Sequence, residues 1–370
     1  MIPYFAVFGI LVLLSIFEII EADKKMRFWA AIAAVILILL FAGLRSPDTS
    51  DDGKSYISVF LEVPDVLTWL GGHFKYSYNI LQMEPFYILL CSVIKLFTYN
   101  YIWLFLIMAA IAVLVNAYNY FKYSPYVILT LILYFSHPFL YKEMGSIRTG
   151  LASAILLFSI GFIYRKKLLQ FSAVTAAASL FHFAAFPFFL SYFVNLFDFK
   201  KKTLYIILAI AFLIGLIGIS SWMIQYLPPT GEISQKILAY YEAEQYSASL
   251  GVFDITNIKL LFFSILLIYF KDTLQSRYPF FKVMLYIYLT GTVWRIAFND
   301  FGIFAARIAT FFIIVEVILL PMLVTVIRTR FIAYLSLVIY AFIALYLNLY
   351  VKEALHPYGI SINILQLLKM

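Results

Sequence analysis

Cysteine is almost missing from this chain: Cys91 is alone among 370 residues. One cysteine forms no internal disulfide, so a disulfide-stapled scaffold is excluded and the redox compartment stays open. Its apolar neighbours mark Cys91 as a small buried hydrophobe. Histidine is nearly as scarce, with four scattered copies and no paired His/Cys spacing, which argues against a dedicated zinc site. Charge is thin as well. Asp, Glu, Lys and Arg make up 12% of the residues, where soluble domains carry about 25%. There is no phosphate-binding glycine loop, no dinucleotide glycine pattern and no Ser-His-Asp elbow.

What is present is apolar. Hydrophobic residues form 64% of the chain, in runs such as Trp29–Leu40, Ile206–Ile219 and Ile308–Val315. Runs of this kind cannot all be hidden in a soluble core of this size. The fold class read from them is all-α: a polytopic integral membrane protein with about 12 transmembrane helices, some re-entrant or broken. A β-barrel is excluded because the runs are continuous and do not alternate. Residues 1–370 read as one transmembrane domain, with outward-facing loops at about 45–83 and 225–256. The first run, Ile2–Ile20, is long enough to span and lacks a small-residue cleavage site. The abundant Tyr and Phe read as lipid-facing and interfacial residues.

The formal net charge is +8. Its lysines and arginines sit in short clusters between apolar runs, which is the pattern of cytoplasmic loops and not of a nucleic-acid surface. The clusters at Lys24–Arg27, Arg165–Lys167, Lys200–Lys202, Lys271–Lys282 and Arg328–Arg330 are assigned inside. Arg45, the loop Asp51–Tyr56, Arg148, Arg295 and Arg307 are then outside. Two places resist simple alternation. Leu168–Leu196 is flanked by two inside clusters, so it must break, and the predicted break is near His182. Between Arg45 and Asn100, either Tyr56–Leu70 dips into the membrane or Pro85–Phe97 fails to cross.

Charges are costly in a membrane protein, so those at span ends are candidate functional groups. Arg45 closes an apolar span and is followed by Asp51, Asp52 and Tyr56. Arg148 opens a helix with small residues at 150 and 152–154, and an arginine at a helix N-terminus suits a phosphate or carboxylate. An interfacial, snorkelling arginine is the alternative. Arg307 lies one turn into a long helix. Arg295 stands near Asn299 and Asp300, where a purely structural pair with Asp300 is the alternative. His182 sits at the predicted break among phenylalanines, and a packing role is its alternative. His137, before Pro138, is a weaker candidate, and His73 and His356 read as loop residues. Glu84 precedes Pro85 and is either a helix-start carboxylate or a base. Tyr241, among tyrosines and carboxylates in the second loop, can hold sugar hydroxyls. No metal site or cofactor is expected. Arginines, a few carboxylates and a histidine on one side suit a lipid diphosphate. Arginines stabilise its anionic leaving group, and a carboxylate or histidine deprotonates an attacking hydroxyl.

Gly43-Leu44-Arg45, a downstream Asp and Tyr56, Glu84-Pro85-Phe86-Tyr87, Arg148-Thr149-Gly150-Leu151-Ala152, Phe181-His182 with Pro187, and Arg307 with Phe311 occur in the order seen in the EpsG-like group of Wzy-type polysaccharide polymerases. The chain resembles that family over most of its length. Thr149 departs from the Gln or Glu common at that position. Asp48, Asp51 and Asp52 blur which carboxylate corresponds to the family aspartate. The resemblance implies a multi-pass bacterial inner-membrane glycosyltransferase joining undecaprenyl-diphosphate-linked repeat units at the periplasmic face, for O-antigen, capsule or exopolysaccharide. The implied partners are those lipid-linked glycans, membrane lipids, a chain-length regulator and a flippase, and no nucleic acid. Arg45, Arg148 and Arg307 would hold diphosphate or acidic sugars, and Glu84, His182, Asp51 or Asp52 would be the base. A transporter or flippase of lipid-linked oligosaccharide shares the arginines but needs alternating access, often built from inverted repeats. A membrane O-acyltransferase would use His182.

Overall fold

A computed structural model describes residues 1–72, 83–224 and 248–361, with 80, 226 and 238. The regular elements are helices, and the β pairing among the described residues is a single bridge between Arg45 and Ile360. The longer helices are α1 Ile2–Ile19, α2 Lys24–Gly43, α3 Gly53–Glu62, α4 Pro85–Ile94, α5 Tyr101–Tyr123, α6 Val127–Ser136, α7 Ile147–Tyr164, α8 Leu168–Phe181, α9 Lys201–Ile217, α10 Ile255–Tyr269, α11 Phe281–Ala297, α12 Gly302–Ile313, α13 Glu316–Val324 and α14 Arg330–Tyr346. Among the described residues five helices are long and apolar enough to cross a bilayer, or six if the bent pair α12 and α13 is one span. The protein is a polytopic helical membrane protein, and among the described residues several of the predicted spans are shorter or interrupted helices. The reason is local. The predicted span Pro125–Tyr141, for example, is a ten-residue helix that stops at His137-Pro138, because a residue before proline is disfavoured in the helical region.

The chain forms two compact units. The first comprises Met1–Ser159, Ala173–Phe183 and the chain from Leu320 onward; the second comprises Ile160–Ser172 and Ala184–Leu319.

In the first unit, α2 and α5 lie antiparallel: Gly43 packs against Leu106, and Phe28 against Phe121. The end of α2 and the start of α5 therefore lie at one end of the pair, and the chain between them makes no net crossing. The helices there are short. α3 and α4 have 10 residues each, about 15 Å of helix against a bilayer core of about 30 Å. Within Pro85–Phe97 the regular helix is therefore shorter than a full span. α3 and α4 run side by side. Tyr56 meets Tyr87 at one end, and Lys95 Nζ donates to the carbonyls of Leu61 and Val63 at the other, at 2.9 and 2.5 Å. Their buried faces share a core with α5 and α7.

Buried Glu18 on α1 shows how this unit handles open helix ends. Its carboxylate accepts the backbone N–H groups of Ile128 and Leu129 at 2.8 and 3.1 Å, and the Tyr334 hydroxyl at 3.0 Å. It closes the unsatisfied first turn of α6 and ties α1, α6 and α14 together. In the second unit, Gly291 lets α11 approach Phe312 of α12, since a Cβ there would stand 2.6 Å from that side chain. Lys259 and Tyr288 both bind the carboxylate of Glu316, each at 2.8 Å.

Candidate functional site

The predicted break in Leu168–Leu196 is present. α8 ends at Phe181, a 3-10 helix covers Phe183–Phe189, and His182 lies between them. A helix that restarts leaves free N–H groups, and one of these organises the site. Glu84 occupies the N-cap position of α4, ahead of Pro85, yet its side chain does not cap that helix. It turns to the break instead. Glu84 Oε1 accepts the backbone N–H of Phe183 at 3.2 Å and stands 3.7 Å from His182 Nδ1. Glu84 Oε2 accepts from Arg148 Nη1. The Glu84, His182 and Arg148 side chains are 16, 17 and 18% exposed, so they are mostly desolvated yet reachable. Arg148 is therefore not a snorkelling interfacial residue.

Two tyrosines floor this cluster. The Arg148 guanidinium lies 5.7 Å from the Tyr56 ring and 5.9 Å from the Tyr87 ring. This places a cation over aromatic faces in a low-dielectric setting. The buried Tyr56 hydroxyl lies 3.4 Å from Ser146 Oγ and 3.5 Å from Asp52 Oδ2, and Ser146 Oγ lies 2.9 Å from Thr149 Oγ1. Burial raises the Tyr56 phenol above its ordinary value, with the Arg148 charge opposing, so the group is a neutral hydrogen-bond donor. Ser146, Thr149 and Tyr87 are members that sequence reasoning did not single out as site residues. Ser146 and Thr149 flank Arg148, and Tyr87 shares a motif with Glu84, so adjacency was the available signal.

The small residues of α7 admit a tight turn. A π-helical turn covers Leu140–Gly145, and a Cβ at Gly150 would stand 3.2 Å from Glu143 Oε1. Within that turn Lys142 Nζ donates to Ser153 Oγ at 2.7 Å, and Glu143 accepts from Asn116 at 3.3 Å. Both side chains are buried. Sequence reasoning passed over this pair, although two adjacent charges at the end of an apolar run were a visible signal.

The other predicted residues are distributed elsewhere. Asp51 is exposed and pairs with His356 at 2.7 Å, apart from the Glu84 cluster. Arg45 is buried, and desolvation lowers its guanidinium to about 10, still charged at neutral pH. His137 Nδ1 meets Asn348 Nδ2 at 3.0 Å, and Asn348 also bonds Ser136 and Tyr141, so the histidine helps close the end of α6. Arg295 and Arg307 belong to the second unit. Arg295 Nη2 contacts Asp254 Oδ1 at 3.3 Å. Arg307 is exposed on α12. Tyr241 and His73 lie outside the described residues. Among the described residues no group of three or more His, Cys, Asp or Glu side chains is placed to hold a metal ion.

Arg45, Tyr56, Glu84, Arg148 and His182 thus fall in one unit, and all five lie inside residues 28–360, the stretch that matches the EpsG family. The chain belongs to the EpsG family. A relative, the amylovoran biosynthesis protein AmsC of Erwinia amylovora, is 30% identical over 304 residues, covering 80% of this chain and 78% of that protein. No solved structure matches. In this EpsG-family protein the motif residues 84–87, 148–152 and 181–182, remote in sequence, meet around one carboxylate.

Proposed function

We propose that this protein polymerises lipid-diphosphate-linked oligosaccharide repeat units, with undecaprenyl diphosphate as the carrier and the outer, periplasmic face of the inner membrane as the place. Membership of the EpsG family and similarity to an amylovoran biosynthesis protein support the coarser statement, a membrane protein of polysaccharide biosynthesis. The observation that carries the finer one is the carboxylate of Glu84, held between Arg148 and His182 at a helix break.

The chemistry follows from these groups. Glu84 takes the proton from a hydroxyl of the acceptor repeat unit. That oxygen attacks the anomeric carbon of the donor glycan. The bond from this carbon to the phosphate oxygen breaks, and the diphosphate leaves with the electron pair. Arg148 meets the developing negative charge, which is stabilised most in a desolvated site. Arg148 Nη1 is committed to Glu84, and the guanidinium as a whole supplies the positive charge that meets the diphosphate. His182 receives or relays the proton as Arg148 shifts from Glu84 to the diphosphate. Arg45 is a further anion contact in this reading, with Asp52 at the sugar.

The test is Glu84→Gln in cells lacking the chromosomal copy. Loss of a general base lowers turnover by roughly 100- to 10,000-fold. Glycans should stop at a single repeat unit on the lipid acceptor while the protein inserts normally. Absence of any surface glycan of that type would point to a flippase instead, and long chains of normal length would remove Glu84 from the reaction.

A further inference from the structure

The second unit carries an apolar groove between α9, α11 and the short helix Leu190–Val194. Its volume is about 300 Å³, and its walls are almost wholly apolar, with Leu204, Leu208, Leu289 and Trp294 among them. On α11 the lining positions are 286, 289, 290, 293, 294 and 297. They recur every three or four residues and so form one face of the helix. From Tyr286 to Ala297 is about 16 Å of helical rise. One leaflet supplies about 15 Å, half of a bilayer core of about 30 Å. The groove therefore has the length of a single lipid chain.

Its two ends differ. At the far end the walls are Trp294 and Phe298, with ring centres 4.6 Å apart. At the near end the groove meets charge. Lys282 Nζ lies 5.6 Å from the centre of the Tyr286 ring. Lys271 Nζ donates to the carbonyl of Phe199, another wall residue, at 2.7 Å, and Phe199 N donates to the Tyr286 hydroxyl at 2.9 Å. Three basic segments are drawn together here. The Tyr192 hydroxyl donates to the Lys166 carbonyl at 2.9 Å, Tyr164 packs on Phe280 with ring centres 4.6 Å apart, and Lys201 pairs with Asp272 at 2.8 Å. Residues 165–167, 198–202 and 271–282 carry nine basic and two acidic side chains, a net charge of +7. The two acids, Asp198 and Asp272, are 72 and 76% exposed, so their ion pairs are screened by water. Basic loops alone are what charge order requires of any cytoplasmic face. An apolar groove one leaflet long that opens at such a cluster is a further feature.

We propose that this groove binds an anionic phospholipid of the leaflet on the side assigned inside, with one acyl chain along α11 and the phosphate against Lys282 and the Lys200–Lys202 run. Charge complementarity selects the occupant. A zwitterionic lipid fits the apolar walls equally well but gains little at the mouth, whereas a net negative headgroup gains from each lysine near it. The site lies apart from Glu84, Arg148 and His182, and goes beyond the polymerase reading without resting on it.

Trp294, on the wall, supplies the readout. The full chain is placed in phosphatidylcholine vesicles with phospholipids brominated on their acyl chains, which quench tryptophan on contact. The fluorescence difference between the parent and Trp294→Phe isolates Trp294. Brominated phosphatidylglycerol should half-quench it at a mole fraction roughly tenfold below that needed for brominated phosphatidylcholine. Lys202→Gln/Lys282→Gln should remove most of this preference, since a lysine near the membrane surface is worth about fivefold, and should leave quenching by brominated phosphatidylcholine unchanged. Raising ionic strength, which needs no variant, should narrow the preference in the parent. Equal quenching by the two lipids would reduce the occupant to ordinary surrounding lipid and overturn the proposal. Absence of Trp294 quenching by both would show that no lipid chain enters. An unchanged preference in the lysine variant would overturn the headgroup contact. Displacement of brominated phosphatidylglycerol by a tenfold smaller fraction of polyprenyl phosphate would give the groove to an isoprenoid carrier instead. None of these outcomes depends on the glycans made by Glu84→Gln, so the two readings fail separately.

Discussion

Arg148 and Arg295 look alike in sequence. Each is a lone arginine near the end of an apolar helix, and each ends up mostly buried against a carboxylate. Their carboxylates differ. Asp254, the partner of Arg295, is the N-cap of α10 and accepts the Thr256 N–H at 3.0 Å. It closes a helix end, and Arg295 braces it. Glu84, the partner of Arg148, ignores the helix it begins and gathers an arginine, a histidine and the free N–H of a broken helix. A carboxylate that completes local backbone bonding has a structural task. One that forgoes its own helix to collect titratable groups is, in the proposed function, held for chemistry.

The comparison breaks most readily at Arg148. Arg148→Ala should abolish long-chain glycan, by about 100-fold or more, while membrane insertion persists; gel analysis of lipid-linked glycans would show it. Should chain length survive, the two arginines are alike after all. Arg295→Ala should act on folding, costing about 1 kcal/mol, because it removes a charged partner of the half-buried Asp254 that caps α10. Detergent-solubilised protein should melt earlier, and the protein that remains folded should make chains of unchanged length. Shortened chains at normal stability would move Arg295 into the site. Tyr56→Phe is a finer probe. It keeps the aromatic face under Arg148 and removes the hydroxyl contacts to Ser146 and Asp52, worth about 1 kcal/mol, so turnover should fall only several-fold.

The smallest effect concerns Asp48. Lys54 binds it at 3.0 Å and holds its carboxyl below the ordinary carboxylate range. A depressed pKa contributes stability above the ordinary value, and that contribution disappears as pH falls through the folded value. The pair is exposed and screened. Asp48→Asn should therefore lower thermal stability only slightly at neutral pH, and that small difference should vanish as pH falls through the carboxylate range.

Much of this was legible before any coordinates. Two inside clusters flanking one segment demanded a break, and it lies at His182 because no continuous helix can return to the side it left. Glu84, Arg148, Tyr56 and His182 were all visible as charges or polar groups that an apolar chain tolerates only for a reason. Where the helices are interrupted was not legible, since hydropathy reports apolar content and not helix continuity. The helix α6 breaks at His137-Pro138, and α3 and α4 have only 10 residues each.

Composition and charge order thus determined the class of molecule, the break after α8 and several of the candidate residues, because burying charge in lipid is costly wherever it occurs along the chain. Tertiary structure alone decided the pairings. That Glu84 meets Arg148 across 64 residues, that Arg295 meets Asp254, and that residues 359–361 pair with the backbone around Arg45 depend on which segments packing brings together. The reason is physical. A span's local sequence sets whether it is a helix, but the partner of a side chain at its end is set by contacts between segments far apart in the chain.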